Sequence, residues 1–158
     1  MIPIEDLRKI IILEKLSDEM LEKVLPAINV LKLREQEIIF DEGDEARYFY
    51  MLQRGKVLLE KRISQQITVS LGAIKPGFSF GWSSIFSEPY SFKALCAETS
   101  EILMINADGI LKLMKEDHSM GFHMMRSLTR VMKNRMERIQ DQFLRAIREH
   151  PDFSAVLD

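Results

Sequence analysis

Apolar positions along the chain fall into three zones with different periods. From Ile4 to Ile28 they recur at helical spacing: Leu7, Ile10, Ile11 and Leu13 lead to Leu16, and Met20, Leu21, Val24 and Leu25 follow. Ser17 stands ahead of Asp18 and Glu19, an N-cap with acids in the first turn of a second short helix. Residues 4–28 are therefore expected to form two small helices closing one end of a sheet. Between 29 and 106 the period changes. Short runs rich in branched and aromatic residues lie at 30–33, 37–40, 48–52, 57–61, 67–74 and 101–105, and Cys96 and the stretch around Ser91 and Lys93 are also read as strand. Turn signals separate the runs, among them Asp41-Glu42-Gly43-Asp44, Arg54-Gly55, Ser64-Gln65-Gln66, Lys75-Pro76-Gly77 and Glu98-Thr99-Ser100. Many short strands without crossover helices predict an antiparallel β-jelly roll and disfavour a parallel α/β fold.

From Ala107 the helical period returns. A short helix through Leu111 and Met114 precedes a long one over 119–150, with Pro151 following and a loose tail expected at 151–158. At 1.5 Å per residue the long helix would run roughly 45 Å, more than a compact domain of this size needs. The fold class is thus mainly β with α: short N-terminal helices, a jelly roll, and a long C-terminal helix, in one domain over 1–150.

Composition changes this picture little. With 46% hydrophobic and 29% charged residues, the chain reads as an ordinary soluble protein. A net charge of −2 gives no global field towards nucleic acid or an acidic membrane. Cys96 is the only cysteine, so no intramolecular disulfide and no cysteine-based metal cluster can form. Glu5 and Asp6 precede an apolar run of only four residues, Ile10 to Leu13, which is no secretory pattern. No apolar stretch approaches the roughly 20 residues needed to cross a bilayer. A cytoplasmic protein with no membrane partner is expected.

An ordered set of motifs is more specific. Gly43-Asp44, Tyr50, Gly55-Lys56-Val57 and Lys75-Pro76-Gly77-Phe78-Ser79-Phe80-Gly81 match, in type and spacing, the pattern of the cyclic-nucleotide-binding domain, which this chain resembles over residues 10 to 148. Physics supports the same positions: Gly43 and Gly55 sit where the chain must reverse, and Pro76-Gly77 fits the centre of a type II turn. The resemblance implies a ligand cradle, the phosphate cassette, at residues 80–94. Members that bind cyclic nucleotides usually carry Glu directly after the Phe-Gly pair, for the ribose hydroxyl, and Arg about ten positions after that Gly, for the cyclic phosphate. Here those slots hold Trp82 and Ser91. The candidate pocket is Phe80, Gly81, Trp82, Ser83, Ser84, Ser91, Phe92 and Lys93, with Lys93 expected on the same strand face as Ser91 and able to supply a point charge. Three readings stay open: an altered or unknown small ligand, no ligand with Trp82 filling the pocket, or a true cAMP/cGMP site. No cofactor is required by any of them.

On the long helix, Phe122, Thr129, Met136 and Phe143 share one heptad position and Met125, Met132, Ile139 and Ala146 the other. The resemblance to catabolite-activator-like sensors makes a parallel homodimer the expectation, with an unidentified protein as a further partner. The alternative is a stripe folded back on its own domain, its first turns packing through Phe122 and Met125. Arg126, Arg130, Lys133, Arg135, Arg138, Arg145 and Arg148 make this helix the one basic surface. Aromatics are not interleaved on it and no recognition helix follows, so direct DNA binding is not expected.

Catalysis is not expected either. The three histidines, His118, His123 and His150, all lie in the helical tail, whereas a cupin-type metal enzyme needs them inside its barrel. Cys96 reads as a small buried hydrophobe rather than a haem ligand. The sequence describes a non-enzymatic, homodimeric ligand sensor or adaptor.

Overall fold

Residues 2–150 are described by the structure, a computed structural model. Helix α1 (Ile4–Leu7) and helix α2 (Asp18–Val24) are joined by turns and bends over 8–16, and a 3-10 turn (Leu25–Ala27) leads into the sheets. The Ser17 hydroxyl accepts from the Met20 amide at 3.3 Å, the cap expected for α2. Eight strands follow: β1 (Ile28–Leu33), β2 (Ile38–Phe40), β3 (Tyr48–Arg54), β4 (Val57–Arg62), β5 (Thr68–Ile74), β6 (Ser79–Phe80), β7 (Lys93–Cys96) and β8 (Ser100–Asn106). They form two four-stranded sheets ordered β1-β8-β3-β6 and β2-β7-β4-β5, with every pairing antiparallel. Mainly antiparallel sheets flanked by helices are the architecture that the period change predicted.

Three details differ from expectation. The helical spacing from Leu7 to Leu16 does not make a helix: α1 ends at Leu7, and the apolar residues after it lie in turns and bends. β6 has only two residues, too few to display any period. β7 begins at Lys93, so Ser91 and Phe92 lie in a bend ahead of it and do not share a strand face with Lys93.

The β3–β8 pair is buried on both faces, and two cores result. Phe49 and Met51 of β3, with Leu103 and Ile105 of β8, face the helices and pack with Leu7, Leu13, Leu21, Ile110, Met120 and Met124. Tyr50 and Leu52, with Ile102, face the barrel interior and pack with Phe40, Val57, Leu59, Phe80 and Tyr90. Alternation along one strand therefore delivers apolar groups to both sides, which is why β3 reads as an unbroken apolar run. The N-terminal segment is tied on by the Pro76-Gly77 turn. The Phe78 amide donates to the Lys75 carbonyl at 3.1 Å with Gly77 at φ +92°, and the Gly77 carbonyl accepts from the Ile11 amide at 2.9 Å.

Helix α3 (Ala107–Glu116) is capped by Asn106, whose side chain accepts from the amides of Asp108 and Gly109. Helix α4 (His118–Arg148) is capped by Asp117, which also pairs with Lys23 of α2 at 3.1 Å. Its buried residues are Met120, Gly121, Met124, Ser127 and Leu128. Phe122 is 60% and Met125 38% exposed, so the first turns dock through a stripe adjacent to the predicted one, and packing through Phe122 and Met125 is not observed. Thr129, Met132, Met136, Ile139, Phe143 and Ala146 are likewise exposed, with Met132 and Ile139 lining grooves between α4 and the barrel. The expected tail at 151–158 lies outside the described residues.

Gly43 and Gly55 have nearly the same backbone, at φ +87° and +91°, but different surroundings. A Cβ at Gly43 would meet nothing within 4 Å, whereas at Gly55 it would lie 2.3 Å from the Ser100 hydroxyl and 2.6 Å from the Thr99 carbonyl. Gly43→Ala should cost only the left-handed strain of about 1–2 kcal/mol. Gly55→Ala should cost roughly 1–3 kcal/mol more through overpacking, read by urea unfolding. Equal losses would show that the β3–β4 turn is looser than described.

Candidate functional site

The cassette begins where β6 ends. Gly81 turns the chain at φ +76°, and a Cβ there would lie 2.9 Å from the Tyr50 ring, so the position requires glycine twice over. Residues Trp82–Phe86 then form a 3-10 turn that Ser87 closes at φ +56°. The return limb is held by the Glu88 amide donating to the Ser83 carbonyl at 3.1 Å. Tyr90 stacks on Phe40 with centroids 3.7 Å apart. Its hydroxyl donates to the Tyr48 carbonyl at 2.7 Å and accepts from the Tyr48 amide at 3.2 Å. The Gly43-Asp44 turn zips to the same residue: the Gly43 amide donates to the Tyr90 carbonyl at 2.9 Å, and the Tyr90 amide donates to the Asp44 carbonyl at 3.0 Å. The acidic turn is thus structural, with Asp44 accepting from the Asp41 amide and Glu42 pairing with Lys61.

These limbs enclose a cavity of about 210 Å³. Six of the eight candidate residues line it: Phe80, Gly81, Trp82, Ser83, Ser91 and Phe92. The Ser83 and Ser91 hydroxyls lie 3.5 Å apart on one wall, and Phe40 and Leu59 form the apolar floor. Trp82 is half-buried; its Nε1 donates to the Ser79 hydroxyl at 3.1 Å and its ring leans on the helical core.

Two candidates are not brought to this cavity. Ser84 is buried and donates to the Gly81 carbonyl at 2.8 Å, serving the turn itself. Lys93 is cross-strand partner to Glu60, with their charges 4.0 Å apart, and it lines a different groove beside Asp41 and Glu42. The expected point charge from Lys93 is therefore absent from the cavity. Another lysine lies nearer Ser91. Lys61 Nζ donates to the Ser91 carbonyl at 3.0 Å and sits 5.7 Å from the centre of the Phe92 ring.

Helix α4 supplies the remaining wall through Met132 and Arg135. Arg135 lies 5.7 Å from the Trp82 ring centre, half-buried, and burial followed by its neighbour Arg138 pulls its pKa below the ordinary arginine value. Sequence reasoning missed Arg135 because its place depends on how α4 crosses the barrel, which no local pattern encodes. Among the described residues no group of three or more His, Cys, Asp or Glu could hold a metal, and no helix is long and apolar enough to cross a membrane.

The geometry agrees with comparison to known proteins. The family model described as the cyclic nucleotide-binding domain matches residues 30–117, more than half of the chain. The chain belongs to this family. Solved structures agree on the fold of a cyclic nucleotide-binding domain. A cyclic nucleotide-binding domain from Methylobacillus flagellatus superposes with a TM-score of 0.78 at 18% identity, over 90% of this chain and 81% of that one. The catabolite activator protein of Thermus thermophilus gives 0.71 at 21% identity, over 87% of this chain and 64% of that one. The regulatory domain of Toxoplasma gondii PKA, solved with cAMP, gives 0.63 at 18% identity, over 70% and 42%. The chain thus spans less than two thirds of the length of the latter two. No curated protein sequence matches this one.

The aromatic floor carries a pH signature. Burial, and then the neighbouring Tyr90, push the Tyr50 phenol far above the ordinary tyrosine value, and burial pushes Tyr90 up as well. Both stay neutral in the fold, whereas an unfolded chain ionises them near pH 10. The stability they support is complete below about pH 10 and is lost as pH rises towards the folded values. Their tyrosinate absorbance should appear together with loss of near-ultraviolet circular dichroism. Ionisation of both with ordinary midpoints in an intact fold would contradict the burial described.

Proposed function

We propose that this protein is a non-catalytic ligand-sensing module whose cassette takes a small molecule other than an ordinary cyclic nucleotide, and which acts as a homodimeric, cytoplasmic regulatory adaptor. The observation that carries the reading is a cassette cavity that persists while its two charged anchor slots are empty of charge. An indole engaged with Ser79 stands in the carboxylate slot, and a hydroxyl 3.5 Å from Ser83 stands in the guanidinium slot. Losing a buried charged hydrogen-bond partner costs about 2–5 kcal/mol, so ordinary cyclic nucleotides should bind at least about 30-fold more weakly than to a complete cassette. The lone cysteine is buried, and burial pushes its thiol pKa up, which suits a reducing compartment.

Dimerisation is supported by the exposed seam. Phe122, Met136 and Phe143 are 60, 56 and 64% exposed at one heptad position of α4, an apolar stripe open to solvent. A second copy placing the same stripe against it would bury both. Ligand contacts on the short cassette turn, which packs on the helical core through Trp82 and Ile85, would bias the angle of α4.

Calorimetry with cyclic AMP tests the ligand reading. Wild type should bind only weakly, and Ser91→Arg should gain at least about 30-fold. Micromolar or tighter binding by wild type would overturn the altered-ligand reading in favour of a true cyclic-nucleotide sensor. For the dimer, light scattering should find wild type dimeric, and the double variant Met136→Glu, Phe143→Glu monomeric with its circular dichroism intact. A monomeric wild type would end the dimer reading.

A further inference from the structure

We infer that Arg135 clamps the ligand's anion from the long helix, in place of the missing cassette arginine, and that the ligand is a small acid with an aromatic or similarly flat apolar body. This rests on the ligand-sensing reading above and specifies its chemistry.

The cassette side of the cavity offers two hydroxyls and no cation. Lys93 is turned to Glu60, and Lys61 is engaged by Glu42 and the Ser91 carbonyl. The α4 side offers Arg135. Among the described residues it has no carboxylate within ion-pair distance, although Arg130 pairs with Glu14 at 2.7 Å and Lys133 pairs with Glu137 on the same helix. A guanidinium withdrawn from water without an acceptor is costly, and an anion in the cavity relieves that cost with charge-assisted hydrogen bonds. Burial and Arg138 already weaken its hold on the proton, the direction expected of a cation lacking its counter-charge. Glu88, the carboxylate lining the cavity, is exposed to water.

The cavity's size and walls limit the rest of the molecule. At about 210 Å³ it falls below the roughly 300–1,000 Å³ of sites for drug-sized ligands, so the body is nearer one ring than a nucleotide. Phe40, Leu59, Phe80 and Phe92 make the walls apolar, suited to a ring face. Trp82 and Arg135 also line a neighbouring groove of about 550 Å³ that holds Lys75 and Arg138, so positive charge continues past the clamp and draws an anion towards it.

The test uses the whole chain and four probes: 3-phenylpropionate, phenyl phosphate, cyclic AMP, and neutral 3-phenylpropionamide. Trp82 is the chain's one tryptophan, so its emission reports on this site alone, with calorimetry as a second readout. 3-Phenylpropionate or phenyl phosphate should bind wild type about tenfold or more tightly than the amide. Arg135→Gln should erase that preference, while Arg145→Gln, with the same loss of charge at an exposed position of α4 outside both cavities, should keep affinity within about threefold. Far-ultraviolet circular dichroism checks that both variants fold. A preference untouched by Arg135→Gln, or acid and amide binding alike, would overturn the clamp and leave the sensor reading standing. Silence from both single-ring acids would also overturn the clamp; the sensor reading would then be decided separately by whether Ser91→Arg gains cyclic AMP.

Discussion

Burial of β3 on both faces is the constraint from which the rest follows. Phe49 and Met51 belong to the core shared with the helices, and Tyr50 and Leu52 belong to the barrel interior, so one strand is common to two hydrophobic clusters. A shift of register by one residue would exchange all four, placing the Tyr50 phenol among leucines and methionines. The strand is also pinned at both ends. Tyr90 holds both backbone polar groups of Tyr48, and the Phe78-Gly77 segment exchanges hydrogen bonds with Leu52 at 2.9 and 2.8 Å. Family motifs that look scattered along the sequence thus converge physically on one strand: Gly43-Asp44 through Tyr90, Pro76-Gly77 through Leu52, and Gly81 against the Tyr50 ring.

That convergence explains how the cassette holds its shape with an indole at Trp82 and a hydroxyl at Ser91. The turn at Gly81, the stack of Phe40 on Tyr90 and the hydroxyl of Ser84 are supplied by packing and backbone geometry, and none of them depends on the two anchor slots. The cassette turn in turn touches the helical core through Trp82 and Ile85, so the cavity and α4 share neighbours and need no long chain of intermediates.

How much was legible beforehand depended on whether a feature is local. The three zones, the Ser17 cap, the Pro76-Gly77 turn and the length of α4 are encoded within a few residues of themselves, and the structure has them where the sequence placed them. β6 left no trace because two residues carry no period. Lys93 was misassigned because its partner, Glu60, lies on another strand and only register brings them together. The stripe by which α4 docks was misplaced for a similar reason: Met120, Met124 and Leu128 and the exposed seam are both apolar, and hydrophobicity alone does not say which one meets the domain. Arg135 lay in a run of arginines that looked uniformly solvated, and only the crossing of α4 over the cassette sets it apart.

Helix α4 has a mechanical consequence. Its last buried residue is Leu128; beyond it the helix meets its own domain along one face, where Arg130 pairs with Glu14 and Met132 and Arg135 wall the cassette cavity. The twenty residues from there to Arg148 extend about 30 Å at 1.5 Å each. A tilt of about 5° at the base would sweep the tip through roughly 2–3 Å, by the geometry of a rod of that length. Angular changes too small to disturb the barrel's close packing would therefore emerge at the far end as displacements comparable to the width of an atom.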